Sequence, residues 1–268
     1  MNVPLFSPRL TLCVAAALTL AIAGCGSSPN LSDKDSPEKL YADARDEMSS
    51  GNYDKAIKIL ERVEGRAAGT ILAQQAQLDQ AYAQWRTGER ATALATLDRF
   101  IKVHPSSPAL DYAMYLKGMV NFNDNLGILS SVSRQDMSER DQQASRDAYQ
   151  AFKQLVDQFP DSKYSADARV RMDYIVNALA KNELHVARYY YRRGAYLAAA
   201  NRAQHTVRDY QQTPSVEEAL YILARSYDKL GLDDLRDDAD RVLNANYPDS
   251  RFLRDGMSKP DNPWWKFW

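Results

Sequence analysis

Cysteine is almost missing from this chain. The only two, Cys13 and Cys25, lie near the N-terminus, so no disulfide braces the body and the fold must stand on packing. Glycine and proline are also scarce, at 11 each in 268 residues; few breakers favour long helices packed side by side. Formal net charge is −1, which leaves no global positive field for nucleic acid. The three histidines, His104, His185 and His205, stand far apart with no metal-ligand spacing. Asn182-Glu183-Leu184-His185 lacks the first histidine of a zincin motif. A Gly-rich phosphate loop and a nucleophile elbow are both absent. Neither a catalytic site nor a metal or cofactor site is therefore expected, and the abundant carboxylates read as solvated helix faces. With 45% hydrophobic residues, there is enough apolar material for one elongated domain or two small ones.

The first thirty residues read as an address. Arg9 is the only charge before the apolar run Leu10 to Ile22. That run falls short of the roughly 20 residues a membrane span needs, so a secretory signal peptide over 1–24 is expected rather than a transmembrane anchor. Its exit, Leu20-Ala21-Ile22-Ala23-Gly24-Cys25, resembles the bacterial lipobox. That resemblance implies cleavage before Cys25 and a covalent N-acyl and S-diacylglycerol lipid on Cys25. Several acyl chains hold a protein at a membrane where one barely does. Gly26 stands where an aspartate would resemble an inner-membrane retention signal, which implies sorting to the outer membrane. Residues 25–36 read as the lipidated N-terminus and its tether.

The body repeats itself. Ala93, Leu97, Phe100 and Pro105 are spaced by four, three and five residues, and so are Ala148, Phe152, Leu155 and Pro160. Gly51, Tyr53, Ala56, Leu60 and Val63 keep this register without the proline, and Gly194, Tyr196, Ala199 and Ala203 do so again. Gly231 precedes Pro248 by the interval that separates Gly88 from Pro105. The endings Pro105-Ser106-Ser107, Pro160-Asp161-Ser162 and Pro248-Asp249-Ser250 rhyme. Glycine ends one helix, proline stops the next, and alanine lets the pair approach closely. The pattern resembles the tetratricopeptide repeat, a helix-turn-helix of roughly 34 residues; a generic helical bundle is the alternative. An all-α solenoid of about five units is expected, at 37–67, 70–106, 108–161, 163–212 and 215–249. Repeats 1–3 would form an N-terminal half (37–161) and repeats 4–5 a C-terminal half (162–249).

Two irregularities carry information. A polar insert at about 123–140 interrupts the third unit, and such insertions map to loops on one face, often the binding face. The stretch from Tyr164 to Arg193 holds no Gly or Pro and predicts one long helix shared by the third and fourth units. Residues 250–268 form an aromatic tail ending in Trp264, Trp265, Phe267 and Trp268. It could pack onto protein, cover a partner or rest at a membrane interface.

Binding is the better-supported chemistry. Tyr41, Tyr82, Tyr112 and Tyr115 fall on the leading helices, which line the inner surface of such solenoids, and are the substrate-groove candidates; roughly half should be plain core. Tyr189-Tyr190-Tyr191-Arg192-Arg193 joins the residue types enriched at interface hot spots. Arg192, Arg193 and Arg202 are the partner-binding candidates, against a bland reading as solvated arginines.

A longer run is more specific. Phe159-Pro160-Asp161-Ser162-Lys163-Tyr164, Ala166-Asp167-Ala168-Arg169, Glu183-Leu184-His185-Val186-Ala187, Arg193-Gly194-Ala195-Tyr196 and Ala200-Asn201-Arg202 are similar to the BamD/ComL family of outer-membrane assembly lipoproteins, over nearly the whole mature chain. The resemblance implies a non-enzymatic scaffold subunit of the β-barrel assembly machinery, anchored by lipid in the outer membrane and facing the periplasm. Its implied partners are a BamA POTRA domain, other lipoproteins of the machinery and unfolded outer-membrane β-barrel proteins, with no nucleic acid. In the family the C-terminal half docks on BamA, at a contact matched by Arg202, and the N-terminal half receives barrel substrates. The rivals are another tetratricopeptide lipoprotein, serving cell-wall synthesis or division, and an anchored lytic or peptidase enzyme.

Overall fold

The computed structural model describes residues 35–122 and 142–256. The signal segment, Cys25 with most of the tether, the insert at 123–140 and the tryptophans of the tail lie outside the described residues. Within them the chain is all helix, without a strand: α1 (Pro37–Ser49), α2 (Tyr53–Arg66), α3 (Ile71–Arg86), α4 (Arg90–Val103), α5 (Leu110–Asn121), α6 (Gln142–Gln158), α7 (Ser165–Arg192), α8 (Tyr196–Asp209), α9 (Ser215–Leu230), α10 (Asp233–Asn246) and the short α11 (Arg251–Asp255). Neighbours pack in sequence as five antiparallel pairs, with α1, α3, α5, α7 and α9 leading. This is an α-solenoid of tetratricopeptide-like units. Among the described residues, no helix is long and apolar enough to cross a membrane.

Local chemistry sets the boundaries. The Ser36 and Thr70 hydroxyls accept from the amides of Lys39 and Ala73, capping α1 and α3. Gly51, Gly88, Gly194 and Gly231 take φ of 79°, 85°, 76° and 69° at equivalent turns between paired helices, a left-handed conformation that strains a side-chained residue. Each following helix ends two residues before the proline where the motif has one, at Val103, Gln158 and Asn246. The rhyming serines have a shared task. The hydroxyls of Ser107, Ser162 and Ser250 each accept the amide N–H two residues on, from Ala109, Tyr164 and Phe252. Ser107 and Ser162 also donate backward, to Gln74 on α3 (2.8 Å) and Asp111 on α5 (2.6 Å). Each of these two stops thus pins the next unit to the previous leading helix.

The motif alanines Ala56, Ala93, Ala148, Ala199 and Ala203 are fully buried, as are Leu60, Leu97, Phe100, Phe152 and Leu155. At α5–α6 the approach is closer still, because a Cβ on Gly118 would sit 2.3 Å from the Phe152 ring. Helix α3 is buried almost all round, lying against α1, α2, α4 and α5. Its polar side chains therefore bond inward: Gln77 to the Thr96 carbonyl and Thr96 to Gln84.

The long helix runs unbroken for 28 residues. Ala168, Ile175, Ala178 and Leu179 belong to one core with Leu110, Met114, Phe152 and Leu155. Leu184 and Ala187 belong to the next, with Ala199, Ala203, Ile222 and Leu223. Past α10 the chain turns back: Phe252 is buried and stacks on Tyr221 at 5.8 Å. The first residues of the aromatic tail thus belong to the packed fold.

Candidate interaction surfaces

All four groove tyrosines are half-buried, and the hydroxyls of Tyr41 and Tyr115 are bonded across leading helices. Tyr41 Oη donates to Asp79 Oδ2 at 2.6 Å, tying α1 to α3. Asp79 is itself buried and also accepts from Gln75 at 3.3 Å and Arg45 at 3.5 Å. Tyr115 Oη donates to Asp167 Oδ2 at 2.7 Å, tying α5 to α7, and Arg171 Nε reaches the same oxygen at 2.5 Å. Between these two bridges the rings run together. Tyr112 lies 5.5 Å from Tyr164, and Tyr164 stacks on Tyr115 at 4.9 Å. Tyr82 stands apart, edge-on to Tyr53 and Trp85, with Arg86 donating to its hydroxyl at 2.7 Å. Phe122 extends the row toward Tyr174, ring to ring at 5.8 Å.

The electrostatics raise three of these phenols, Tyr41, Tyr112 and Tyr115. Burial, then the bond to Asp79, pushes the Tyr41 hydroxyl above the ordinary tyrosine range. Burial, then the Asp79 charge, pushes Tyr112 up to about 12. Tyr115 is raised by burial and then by its bond to Asp167. At Asp167 burial acts the other way, yet bonds from Arg171 and Tyr115 outweigh it and hold the carboxyl below its usual range. The face therefore presents aromatic rings and fixed polar groups rather than a titrating pair. Among the described residues, no cluster of three or more His, Cys, Asp or Glu is arranged to hold a metal ion.

The C-terminal candidates do not form one cluster. Arg192 and Arg193 are exposed at the end of α7, with Arg193 over the Tyr189 ring at 5.4 Å. Arg202 lies on α8 and donates to the buried Glu183 at 3.0 Å. Glu183 precedes Arg192 by nine residues of helix, about 13 Å along the axis at 1.5 Å per residue. His205 shares this acid, its Nδ1 3.8 Å from Glu183 Oε2 while Nε2 meets Asp209 at 2.9 Å. Exposed Leu197 and half-exposed Tyr189 add apolar surface near the turn.

The residues missed from sequence are mostly the partners: Arg45, Asp79, Tyr164, Asp167, Arg171 and Glu183. A signal existed for Asp79, the one charged residue between Ala73 and Ala83. Asp167 also follows Tyr164 by three residues, one helical turn.

Comparison with known proteins places the chain in a family. The YfiO family, described as outer membrane lipoprotein, matches residues 33–243. The outer membrane protein assembly factor BamD of Neisseria meningitidis serogroup B is 48% identical over 262 residues, covering 95% of this chain and 98% of that protein. BamD of Neisseria gonorrhoeae is 47% identical with the same coverage. BamD of Xylella fastidiosa strain Temecula1 is 35% identical over 260 residues, covering 96% of this chain and 88% of its own. Sharing full-length similarity with these assembly factors, the chain belongs to the YfiO/BamD family of outer membrane lipoproteins.

Proposed function

We propose that the protein is a non-enzymatic scaffold subunit of the β-barrel assembly machinery. In this reading the lipid on Cys25 ties it to the outer membrane, and the solenoid faces the periplasm. One surface docks on BamA and another receives unfolded barrel proteins. The observation that carries substrate reception is the half-buried aromatic row from Tyr112 through Tyr164 to Tyr115, bracketed by Asp79 and Asp167. An extended strand with alternating aromatic residues suits such a face: its rings stack on the tyrosines and its main-chain groups meet the fixed polar atoms. Capture should be weak and reversible, because the precursor is passed on. Titrating the mature protein with C-terminal barrel peptides should give saturable binding, in the micromolar range of about −8 kcal/mol, with no turnover. Equal binding of scrambled peptides would count against the assignment.

The docking surface on BamA would be the C-terminal face carrying Arg192, Arg193 and Arg202. Arg202 neutralises the buried Glu183, so a charge reversal there would set two carboxylates together and disturb the fold as well as the contact. The cleaner variant is Arg202→Gln with Glu183→Gln, which removes both charges. It is expected to weaken retention of a BamA POTRA domain about tenfold, the scale of one hot-spot contact. Unchanged retention in a pull-down would take Arg202 out of the interface.

A further inference from the structure

The leading helices carry the same triplet twice, in two different states. At one end Tyr115, Asp167 and Arg171 are drawn together: the arginine contacts the acid at 2.5 Å, is 21% exposed and lies against the Phe122 ring at 5.0 Å. The acid of this triplet faces outward, with 46% of its side chain exposed. At the other end Tyr41, Asp79 and Arg45 repeat the residue types and the phenol-to-carboxylate bond, but the arrangement is inverted. Here the acid is only 7% exposed, while the arginine is 56% exposed and reaches the acid at 3.5 Å. A guanidinium has five donors in a planar fork, and one slack contact uses few of them.

We propose that Arg45 is a specificity-determining residue of this face, receiving a carboxylate of an extended peptide ligand whose rings lie over Tyr112 and Tyr164. Three features of the site fit the assignment. The planar fork matches a carboxylate bidentately. Asp79, itself fixed by Tyr41, holds one side of the arginine at 3.5 Å, so part of its ordering cost is already met. The acid that would repel an anion is buried, and the Tyr41 hydroxyl and the Gln75 amide both donate to it. The closed triplet at Asp167 offers no equivalent cation, since Arg171 is covered and committed to its own acid. An anionic group on the ligand is thus directed to the α1–α3 end of the face and not to the α7 end.

The inference rests on the face of the leading helices being a peptide-binding surface, and its test separates the two. The probe is a peptide of roughly eight residues, alternating aromatic and threonine, long enough at about 3.4 Å per residue to cross the leading helices. It is used as the free acid, as the C-terminal amide, and as an amide with glutamate at the last position. Isothermal titration against the folded protein should show the free acid or the glutamate peptide binding about tenfold tighter than the neutral amide. Which of the two gains identifies the source as a terminal carboxylate or an acidic side chain. Arg45→Gln should abolish that advantage while leaving the neutral amide within about twofold, and thermal melts should confirm that this exposed substitution leaves the fold intact. A neutral amide that binds wild type as tightly as the acidic forms overturns the role of Arg45 alone. So does an advantage that survives Arg45→Gln. Failure of all three peptides to bind wild type overturns the peptide-binding reading, and the role of Arg45 with it.

Discussion

Phe152→Ala should lower the unfolding free energy by about 3–5 kcal/mol, the usual cost of deleting a fully enclosed aromatic ring. Phe152 has no exposed surface. Its ring lies 6.0 Å from Tyr115 and 6.3 Å from Phe122, and Gly118 lets α5 come against it without a side chain between. Marginal stabilities of about 5–15 kcal/mol make this a large share of the whole. The measurement is urea denaturation, where the midpoint should fall without a matching change in slope. Gly118 supplies a sign test. In the parent, Gly118→Ala puts a methyl into the ring, an overpacking cost of about 1–3 kcal/mol that outweighs the helix propensity gained. With Phe152→Ala already made, the space is free, and the same change should stabilise by up to about 1 kcal/mol. Simple additivity of the two losses would refute this account of the α5–α6 contact.

The second large effect belongs to the other end of the solenoid. Both oxygens of Glu218 on α9 accept from the Arg188 guanidinium on α7, and the acid is almost wholly covered. Truncating one partner of a buried pair leaves the other uncompensated, typically at 3–5 kcal/mol. Glu218→Ala should cost about 3 kcal/mol, toward the lower figure, because Arg188 keeps a third of its side chain in solvent. Replacing both residues by apolar ones of similar volume should be close to neutral, since the desolvation of two charges disappears with their attraction. Hydrogen exchange is the sharper readout. Glu218→Ala should speed exchange in α8, α9 and α10 before it affects α2–α4, as expected where neighbouring units carry stability. Uniform loss of protection along the chain would contradict that division.

How much of this could be read from residues alone depends on the range of the interaction. The helix pairs were legible because Gly88, Gly231, Pro105, Pro160 and Pro248 act on their own neighbourhoods, through backbone sterics that need no partner. The uninterrupted helix was legible for the same reason. The serine of each stop was visible as a rhyme, but its task was not: its amide acceptance is local, while the second bond of Ser107 and Ser162 goes to Gln74 and Asp111, more than thirty residues upstream. Tyr112 and Tyr115 could be named as candidates, but not their ring contacts with Tyr164, which depend on how α5 meets α7. Buried acids were the hardest. On an amphipathic helix a carboxylate normally faces water, so Asp79 and Glu183 look ordinary until Tyr41 and Arg202 arrive from other helices.

The unbroken α7 has the geometry of a lever arm. Its early turns are gripped in one core and its later turns in the next, and its 28 residues span about 42 Å. A tilt of about 5° imposed near Tyr164 therefore sweeps the opposite end through about 4 Å, at the rise fixed by helix geometry. Any such rigid tilt would couple the Tyr115–Tyr164 contact to Arg192 and Arg193 along a helix with no internal Gly or Pro.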